Sequence, residues 1–428
     1  MKHKITSITA LMAFAFVGSV NGAEYTQQSY PNYMETSDST FTSTSSMYFN
    51  SGWTSYNDTI TTNSGLYLQG ANLSALPTKT LYNITGANIT AKKSLYSQKN
   101  ANVLIENSTL NINERIYVQQ GESSLYIKNS TTTLNATGLS QVVDGSSLTI
   151  DGGSFTITGS QQISVKQGST IAFKNITVDL GENYISTGTE TLYKNASAKI
   201  VIDNAKFTAH HIELYGYTTA GELPILEIKN GSTITTVIGA FMGPIHWNGM
   251  RGGTIIVSDN SVFNSTSDLY QADESDNQVY TSDVIVKNGS KISVDGDVAL
   301  NSVSLTSNSV LEADNVSVKS LVVAEDSTIS LADAGTLSFE NLEIIVDDML
   351  TEGSEIDLNS VLSGGLGVVL SSLEADDAIL ISNGVSKFNA VVDANGVALV
   401  GAAVPEPSQW AMIFGIVALG FVMYFRRK

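Results

Sequence analysis

The chain has 428 residues and a formal net charge of −19, with 6 prolines and no cysteine. The absence of cysteine excludes a disulfide scaffold, a thiolate zinc site and a thiol nucleophile. The negative charge disfavours binding to nucleic acid and to anionic membrane surfaces, so no nucleic-acid partner is expected. Serine, threonine, asparagine and glycine recur between short runs of valine, isoleucine and leucine. This composition is typical of β-strands joined by turns.

The N terminus has the layout of a cleavable signal peptide. Lys2 and Lys4 precede an apolar stretch, residues 8–20, and small residues follow up to Ala23. This order predicts a signal peptide over residues 1–23 and export through the general secretory machinery. An uncleaved N-terminal anchor is the alternative interpretation.

The central part of the chain alternates between apolar and polar residues, and the alternation recurs at a nearly fixed interval of about 18 residues. One series of apolar pairs with this period is Ile292/Val294, Leu311/Ala313 and Ile329/Leu331. Two further pairs recur one period later: Val298/Leu300 at Val316/Val318, and Val303/Leu305 at Leu321/Val323. Three short strands per period of this length predict a parallel β-helix, in which each coil buries its apolar face against its neighbours.

The same repeat extends upstream with a longer period, which is about 23 residues at first and then about 26–29 residues. The pairs with the shorter of these periods are Val103/Ile105, Leu125/Ile127, Leu148/Ile150 and Ile171/Phe173. Those with the longer period are Ile200/Ile202, Leu226/Ile228, Ile255/Val257 and Val284/Val286. The lengthened coils therefore predict loops inserted on the outside of the column.

The predicted fold is all-β, a right-handed parallel β-helix (β-solenoid) over residues 66–336. A segment rich in Ser, Thr and Tyr, residues 24–65, is expected to be an N-terminal cap or a disordered segment. Residues 337–403 predict a C-terminal β-rich subdomain that covers the end of the column. A β-sandwich is the rival architecture, but its strands would vary in spacing more than these do.

The C-terminal end of the chain predicts a single transmembrane helix. Residues 410–425 contain no charge and are followed by three basic residues that should remain cytoplasmic. The uncharged span is close to the lower limit of about 17 residues for a helix that crosses a bilayer.

Residues 404–428 combine a short proline motif, this apolar span and the basic end in a fixed order. The residues concerned are Val404, Pro405, Glu406, Pro407, Trp410, Gly415, Gly420, Arg426, Arg427 and Lys428. The segment resembles the PEP-CTERM sorting signal of bacteria. The resemblance implies anchorage in the inner membrane, processing by an exosortase, and then a place at the cell surface or in the extracellular matrix. It implies nothing about the fold upstream.

Parallel β-helices include both polysaccharide-cleaving enzymes and passive adhesins, so the fold does not decide the function. A lyase would need an arginine base, and outside the tail the sequence offers only Arg115, interpreted as an outward solvated side chain, and Arg251. A glycoside hydrolase would need two facing carboxylates, for which the candidates are Asp179, Glu182, Asp203, Glu213 and the acidic loop of residues 273–276.

Metal chemistry has little support in the sequence. The acidic loop of residues 273–276 could bind Ca²⁺ through oxygen ligands, but a solvated loop is the favoured interpretation and no cofactor is predicted. His210 and His211 precede an alternating segment, and in a strand they would point to opposite faces.

Aromatic residues in the lengthened coils form the candidate carbohydrate contact. They are Tyr215, Tyr217, Phe241, His246 and Trp247. Packing of the loops onto the column is the favoured alternative. The leading hypothesis is thus an exported structural or adhesive protein of the cell surface or matrix, with extracellular polysaccharide as a partner. The alternative is a carbohydrate-active β-helix enzyme, a polysaccharide lyase or glycoside hydrolase, with its site between about residues 203 and 283.

Overall fold

The computed structural model describes residues 20–70, 79–135, 138–187, 198–214, 223–237, 240–241, 252–270, 282–347, 350–362, 364–375, 377–383 and 385–404. In these ranges the chain is all-β apart from two short helices, Leu358–Val361 and Gly367–Ser371. Most neighbouring strands run parallel, and each pairs with a strand one period further along the chain.

Successive layers of chain contribute strands to three ladders. The first ladder contains Val20–Asn21, Met34–Ser37, Trp53–Tyr56, Thr80–Thr85, Ala101–Glu106, Thr170–Lys174, Lys199–Asp203, Ile225–Lys229, Gly253–Val257, Ser282–Val286 and Ala378–Ser382. The second contains Glu24–Tyr25, Thr40–Ser43, Thr59–Thr62, Asn88–Ala91, Thr109–Ile112, Thr177–Asp179, Lys206–Ala209, Thr233–Thr236, Val262–Ser265, Lys291–Val294, Val310–Ala313 and Thr328–Leu331. The third contains Ser29–Tyr30, Met47–Phe49, Leu66–Gln69, Leu95–Gln98, Ile116–Gln119, Gly138–Val142, Gln161–Val165, Tyr184–Ser186, Ile212–Glu213 and Ala240–Phe241.

Longer strands connect the ladders. Ser124–Leu134 and Ser147–Ile157 each continue from the first ladder into the second. Further along, Leu269–Tyr270 pairs with the start of Val298–Leu305, whose second half extends the first ladder. Both halves of Val298–Leu305 pair with Val316–Ala324, and both halves of Val316–Ala324 pair in turn with Leu337–Ile345. The described chain is therefore a stack of parallel strands, as a β-helical repeat requires.

The register of the stack confirms the predicted period. Ile292 is the Cα partner of Leu311, and Leu311 is the partner of Ile329. In the first ladder Val103 pairs with Leu125, and the column continues in register to Val284. Equivalent apolar residues thus lie directly above one another, which is why their spacing in sequence is so regular.

The core is a column of inward-facing side chains. Along the first ladder Trp53, Tyr82, Val103 and Leu125 are consecutive partners, and all are almost fully buried. Alternate residues point outward, as the period of two in a strand requires. Burial of each large apolar side chain stabilises the fold by about 1.5–3 kcal/mol, so the stack depends on many modest contributions.

The turn from the first ladder to the second uses a left-handed residue in most layers. These residues are Gly22, Asp38, Asn57, Gly86, Asn107, Asn129, Gly152, Asn175, Asn204, Asn230, Asp259, Asn288 and Ser307. Asparagine, aspartate and glycine adopt positive φ at low cost, which explains why the turn sequences are so rich in them. The amide of Asn204 also donates to Oδ1 of Asn175 at 2.8 Å, so neighbouring turns are bonded.

Residues 24–65, predicted to be a cap or a disordered segment, form strands in all three ladders. Glu24–Tyr25 pairs with Thr40–Ser43, and Met47–Phe49 pairs with Leu66–Gln69. Val20–Asn21, inside the predicted signal peptide, pairs with Met34–Ser37. The layers of this segment were hard to see in sequence because their cores are aromatic and polar rather than Val, Ile or Leu.

The first layers are filled by stacked rings. The rings of Phe49 and Trp53 lie 4.2 Å apart and nearly parallel, and those of Tyr30 and Phe49 lie 4.7 Å apart. Phe41 meets Trp53 edge-on at 5.0 Å. Such pairs contribute about 0.5–1.5 kcal/mol each beyond burial, so the N-terminal end of the core is well packed.

At the C-terminal end the pairing changes from parallel to antiparallel. Ala378–Ser382 continues the first ladder, and Lys387–Val392 and Val397–Val404 then follow it as an antiparallel meander. Glu355–Asp357 pairs antiparallel with Val397–Val404. The start of the predicted C-terminal subdomain at residue 337 stays a prediction, because Leu337–Ile345 still pairs parallel with Val316–Ala324 in the stack.

No helix in the described part of the chain is long and apolar enough to cross a membrane. The predicted transmembrane segment, residues 410–425, lies outside the described residues.

Candidate functional site

Most of the predicted site residues lie outside the described ranges. This holds for Tyr215, Tyr217, His246 and Trp247 of the aromatic contact, and for Pro405, Glu406, Pro407, Trp410, Gly415, Gly420, Arg426, Arg427 and Lys428 of the tail. The backbone of Phe241 ends a short strand and pairs with Glu213. Val404 is the last residue of the last strand and pairs with Lys387, so the predicted sorting motif starts where the meander ends.

The two histidines are placed differently from the prediction. His210 lies in a bend and the strand begins only at Ile212, so the alternation of a strand does not apply to the pair. Their Nδ1 atoms lie 3.0 Å apart, and Nε2 of His211 lies 3.2 Å from Oε1 of Glu213. His211 also stacks on Tyr184, with 4.4 Å between the ring centroids. The prediction that they point to opposite faces was therefore wrong.

Arg115 points outward but is not freely solvated. Its Nη1 donates to the hydroxyl of Tyr117 at 2.6 Å, and its guanidinium carbon lies 5.5 Å from the centre of that ring. Arg251 lies outside the described residues.

Four of the candidate carboxylates lie in the described ranges, and the acidic loop of residues 273–276 lies outside them. Asp179 accepts from the N–H of Gly181 at 2.9 Å, and Asp203 accepts from the amide of Asn230 at 2.6 Å. Glu213 contacts His211, and Glu182, whose side chain is 96% exposed, lies 3.8 Å from Nε2 of His210. Within the described ranges, no group of three or more His, Asp or Glu side chains could hold a metal ion.

A shallow depression opens beside the left-handed turns. Its volume is about 480 Å³, and Gly153, Asn175, Thr177, Asn204, Lys206 and Gly231 contribute to its lining. Small-molecule sites are usually concave, with a few convergent polar groups. None of the residues that line this depression is a carboxylate, so it lacks the acid pair that a glycoside hydrolase needs.

Tyrosine side chains on the third ladder contact one another between layers. On the third ladder Tyr48, Tyr67, Tyr96 and Tyr117 form one stack, with centroids 4.5, 4.2 and 4.9 Å apart. The faces of Tyr67 and Tyr96 cover one another, and Arg115 lies against Tyr117 at the end of the stack. The inner rings therefore offer their edges and hydroxyls, not their faces, to a ligand.

A ladder of amides runs beside the tyrosines. Nε2 of Gln98 donates to Oε1 of Gln69 at 2.8 Å, and Nε2 of Gln119 donates to Oε1 of Gln98 at 3.2 Å. Gln69 in turn donates to Asn50. Such ladders are typical of in-register parallel stacks, because the same amide recurs at every strand.

Charged side chains on the first ladder alternate in sign between layers. Consecutive partners in one outward column are Glu106, Lys128, Asp151, Lys174, Asp203 and Lys229. Opposite charges on directly paired residues stabilise a sheet, whereas like charges would destabilise it.

Two carboxyl groups on this ladder have lowered pKa values. Burial disfavours ionisation of Asp151, but hydrogen bonds from Tyr126 and Asn175, with Lys174 and Lys128 nearby, lower its pKa overall. The hydrogen bond that Tyr126 donates to Asp151, at 2.5 Å, raises the pKa of the Tyr126 hydroxyl to about 12, with a smaller contribution from burial.

Glu227 is held by two lysines. Its carboxylate lies 2.9 Å from Nζ of Lys199 and 3.1 Å from Nζ of Lys229. Burial opposes ionisation, but these bonds and charges lower the pKa of Glu227 overall. The charged groups here thus bond the layers together.

The second ladder presents an outward surface of a different kind, which we call the threonine face. Six consecutive layers contribute two outward residues each: Thr40/Thr42, Thr59/Thr61, Asn88/Thr90, Thr109/Asn111, Thr131/Thr133 and Ser154/Thr156. Nine of these twelve positions hold threonine, against 41 threonines in the whole chain. The residues between them, such as Phe41, Ile60 and Leu110, are fully buried.

Sequence reasoning missed the threonine face because it followed only the apolar, inward positions. A signal was present in the repeated Thr-x-Thr pattern at residues 40–42, 59–61 and 131–133. Comparison with protein-family models, curated proteins and solved structures finds no match.

Proposed function

We propose that this chain is an exported structural and adhesive protein of the cell surface or extracellular matrix. In this proposal the stack is a closed parallel β-helix. Its hand is right-handed, because connections between parallel strands overwhelmingly take that hand. The C-terminal tail delivers it, and the column is what is displayed.

The observation that carries the proposal is how the polar side chains are used. Tyrosine rings stack between layers, glutamine and asparagine amides bond to one another between layers, and serine hydroxyls accept from the backbone of the neighbouring layer. A catalytic site instead gathers polar groups at one place and shifts their pKa values there. In this chain the groups with lowered pKa on the first ladder are paired within the column, as in a structural element.

The charge and the lack of cysteine suit this role. A net charge of −19 keeps an exposed column soluble and limits association with nucleic acid. Stability comes from burial and backbone pairing along the stack, which does not depend on the redox state of the compartment.

The tail supports the proposed route. The sequence Pro405, Glu406 and Pro407 favours an extended segment, because proline fixes φ and disfavours helix in the residue before it. In sequence it follows directly on the last strand, which ends at Val404. We propose that an exosortase acts here while the apolar span holds the chain in the inner membrane, and that the body is then released to the surface or matrix.

The experiment is expression of the full chain in bacteria with and without an exosortase. We expect a product that lacks the tail and reaches the cell surface only when the enzyme is present. The double change Pro405→Ala and Glu406→Ala should leave the tail attached, whereas Gln409→Ala, outside the motif, should be processed normally. Processing that is independent of the enzyme, or unaffected by the double change, would contradict the proposed route.

A screen of the purified chain against acidic and neutral polysaccharides tests the structural role itself. Binding without cleavage is expected. Turnover that is abolished by changing Asp203 or Glu213 would contradict it in favour of a carbohydrate-active enzyme.

A further inference from the structure

The threonine hydroxyls of the threonine face are unbonded within the described chain. No Oγ1 atom of its nine threonines has a hydrogen-bond partner in the part of the chain that the structure describes. By contrast, the glutamine and asparagine ladders are bonded from one layer to the next. Unbonded donors and acceptors at regular positions are available to a ligand.

The positions of these hydroxyls form a two-dimensional lattice. Consecutive layers are in register, so the hydroxyls repeat along the column at the strand spacing of about 4.8 Å. Across the column, two residues of one strand on the same face are about 6.6 Å apart, from a rise of about 3.3 Å per residue. Both repeats hold over six layers, from Thr40 to Thr156.

The chemistry of the face is uniform and uncharged. None of its twelve side chains carries a charge, and each threonine offers one hydroxyl beside one methyl group. Charge enters the same columns only outside these six layers, at Glu24 before Thr40 and at Asp179 and Lys206 after Thr156. A charged or phosphorylated ligand therefore has no counter-charge on this face.

A regular, uncharged face of this kind suits a ligand that is itself a periodic surface. Small molecules bind in concave sites, whereas a ligand that is a periodic surface needs no cavity to contact this face. Sugar rings prefer aromatic faces, but the threonine face carries no aromatic residue, and the tyrosines lie on the third ladder instead. In hexagonal ice the oxygen atoms repeat at similar spacings along two perpendicular directions, and each oxygen can both donate and accept.

We infer that the threonine face binds crystalline water, with its hydroxyls taking oxygen positions of the ice lattice and its methyl groups filling the spaces between them. The site goes beyond the proposed structural role and does not depend on the sorting tail. Since the face is uncharged, its binding should not change with salt or pH.

The test is incorporation of the purified full chain into slowly growing ice. The natural chain should enter the ice and shape the crystals, whereas a protein that does not bind ice is excluded. Thr109→Tyr, at the centre of the face, should reduce incorporation to the level of the excluded protein, because the larger side chain prevents close approach. Thr149→Tyr is the matched control, since Thr149 points outward on the first ladder, and it should behave as the natural chain.

Thermal unfolding separates lost binding from lost folding. If Thr109→Tyr melts early, Thr131→Lys, which adds a charge at an exposed position of the same column, gives the same test. Exclusion of the natural chain from ice, or equal loss in Thr149→Tyr, would overturn the inference. Retention on an insoluble polysaccharide that Thr109→Tyr abolishes, with no ice binding, would overturn it in favour of a carbohydrate ligand.

Discussion

The backbone N–H of Ser232 donates to the hydroxyl oxygen of Ser261 at 3.1 Å, across 29 residues of chain. Both serines are fully buried. The relationship recurs on either side, because Ala205 donates to Ser232 at 3.1 Å and Ser261 donates to Ser290 at 3.2 Å. A ladder of buried serines thus satisfies backbone donors where the chain turns between strands.

Replacing Ser261 by alanine should destabilise the stack locally. The buried N–H of Ser232 would lose its acceptor, at a cost of about 1–3 kcal/mol. Faster amide exchange in residues 225–236, measured by mass spectrometry, would show the loss. Ser317→Ala, at an exposed outward position, should change stability by less than about 0.5 kcal/mol. Equal effects of the two substitutions would show that the buried bond contributes nothing.

The left-handed turn at Asn204 should tolerate glycine but not valine. Its φ is +49°, where a residue other than glycine, asparagine or aspartate pays about 1–2 kcal/mol, and a β-branched side chain is worst placed. We expect Asn204→Val to lower the thermal midpoint and Asn204→Gly to leave it nearly unchanged. If Asn204→Gly lowers the thermal midpoint as much as Asn204→Val does, the loss comes from the bond between Asn204 and Asn175 and not from the left-handed backbone.

Acid should weaken the layers around Glu227. Its pKa is lowered in the folded state, so the carboxylate contributes stability above the unfolded value of about 4.3, and this is lost as pH falls through the folded pKa. Glu227→Gln should therefore lose stability at neutral pH and show a smaller further loss on acidification. Thermal melts from neutral pH to below the folded pKa of Glu227 measure this pH dependence of stability, with the exposed Glu340→Gln as control. An unchanged pH dependence in Glu227→Gln would show that the two lysines do not stabilise the folded state through this group.

The tyrosine stack should add measurable stability to the N-terminal layers. Tyr67 stacks on Tyr48 and on Tyr96, and each such pair contributes about 0.5–1.5 kcal/mol. Tyr67→Ala should therefore cost more than about 1 kcal/mol in denaturant unfolding. Tyr56→Ala removes a half-exposed ring and should cost less. A larger loss at Tyr56 would contradict the importance of the stack.

The inward residues of the fold were largely predictable from sequence. Where the core is built of Val, Ile and Leu, as at Ile292 and Leu311, equivalent residues recur at the length of one layer and the register can be read directly. The prediction was incomplete at residues 24–65, because inward positions there hold residues such as Trp53 and Thr36. Aromatic and polar side chains do not mark a strand face in the way that aliphatic ones do.

The outer surfaces were mostly missed for a related reason. A threonine such as Thr109 is ordinary in a strand, and only its position above Asn88 and below Thr131 gives it meaning. The contact between His210 and His211 depends on a bend that ends before Ile212, and an alternating pattern gives no sign of it. Such features depend on which residues are neighbours between layers, and a single sequence shows those neighbours only once the register is known.

The structural role and the threonine face both depend on the stack being a series of equivalent layers. Val298 pairs with Val316 and Leu305 pairs with Val323, so these two strands have the same offset throughout. The amide of Asn315 bonds to Asp297 in the layer before it with that same offset, 18 residues. Deleting residues 298–315 removes one layer and joins Asp297 to Val316 in the position that Val298 held, whereas deleting residues 298–306 removes half a layer.

The decisive measurement is thermal unfolding of the two deletion variants, followed by circular dichroism. We predict that the variant without residues 298–315 keeps its strand signal and a cooperative transition. The variant without residues 298–306 should lose both, because its remaining strands no longer meet in register. Equal tolerance of the two deletions, or equal collapse, would contradict a stack of interchangeable layers.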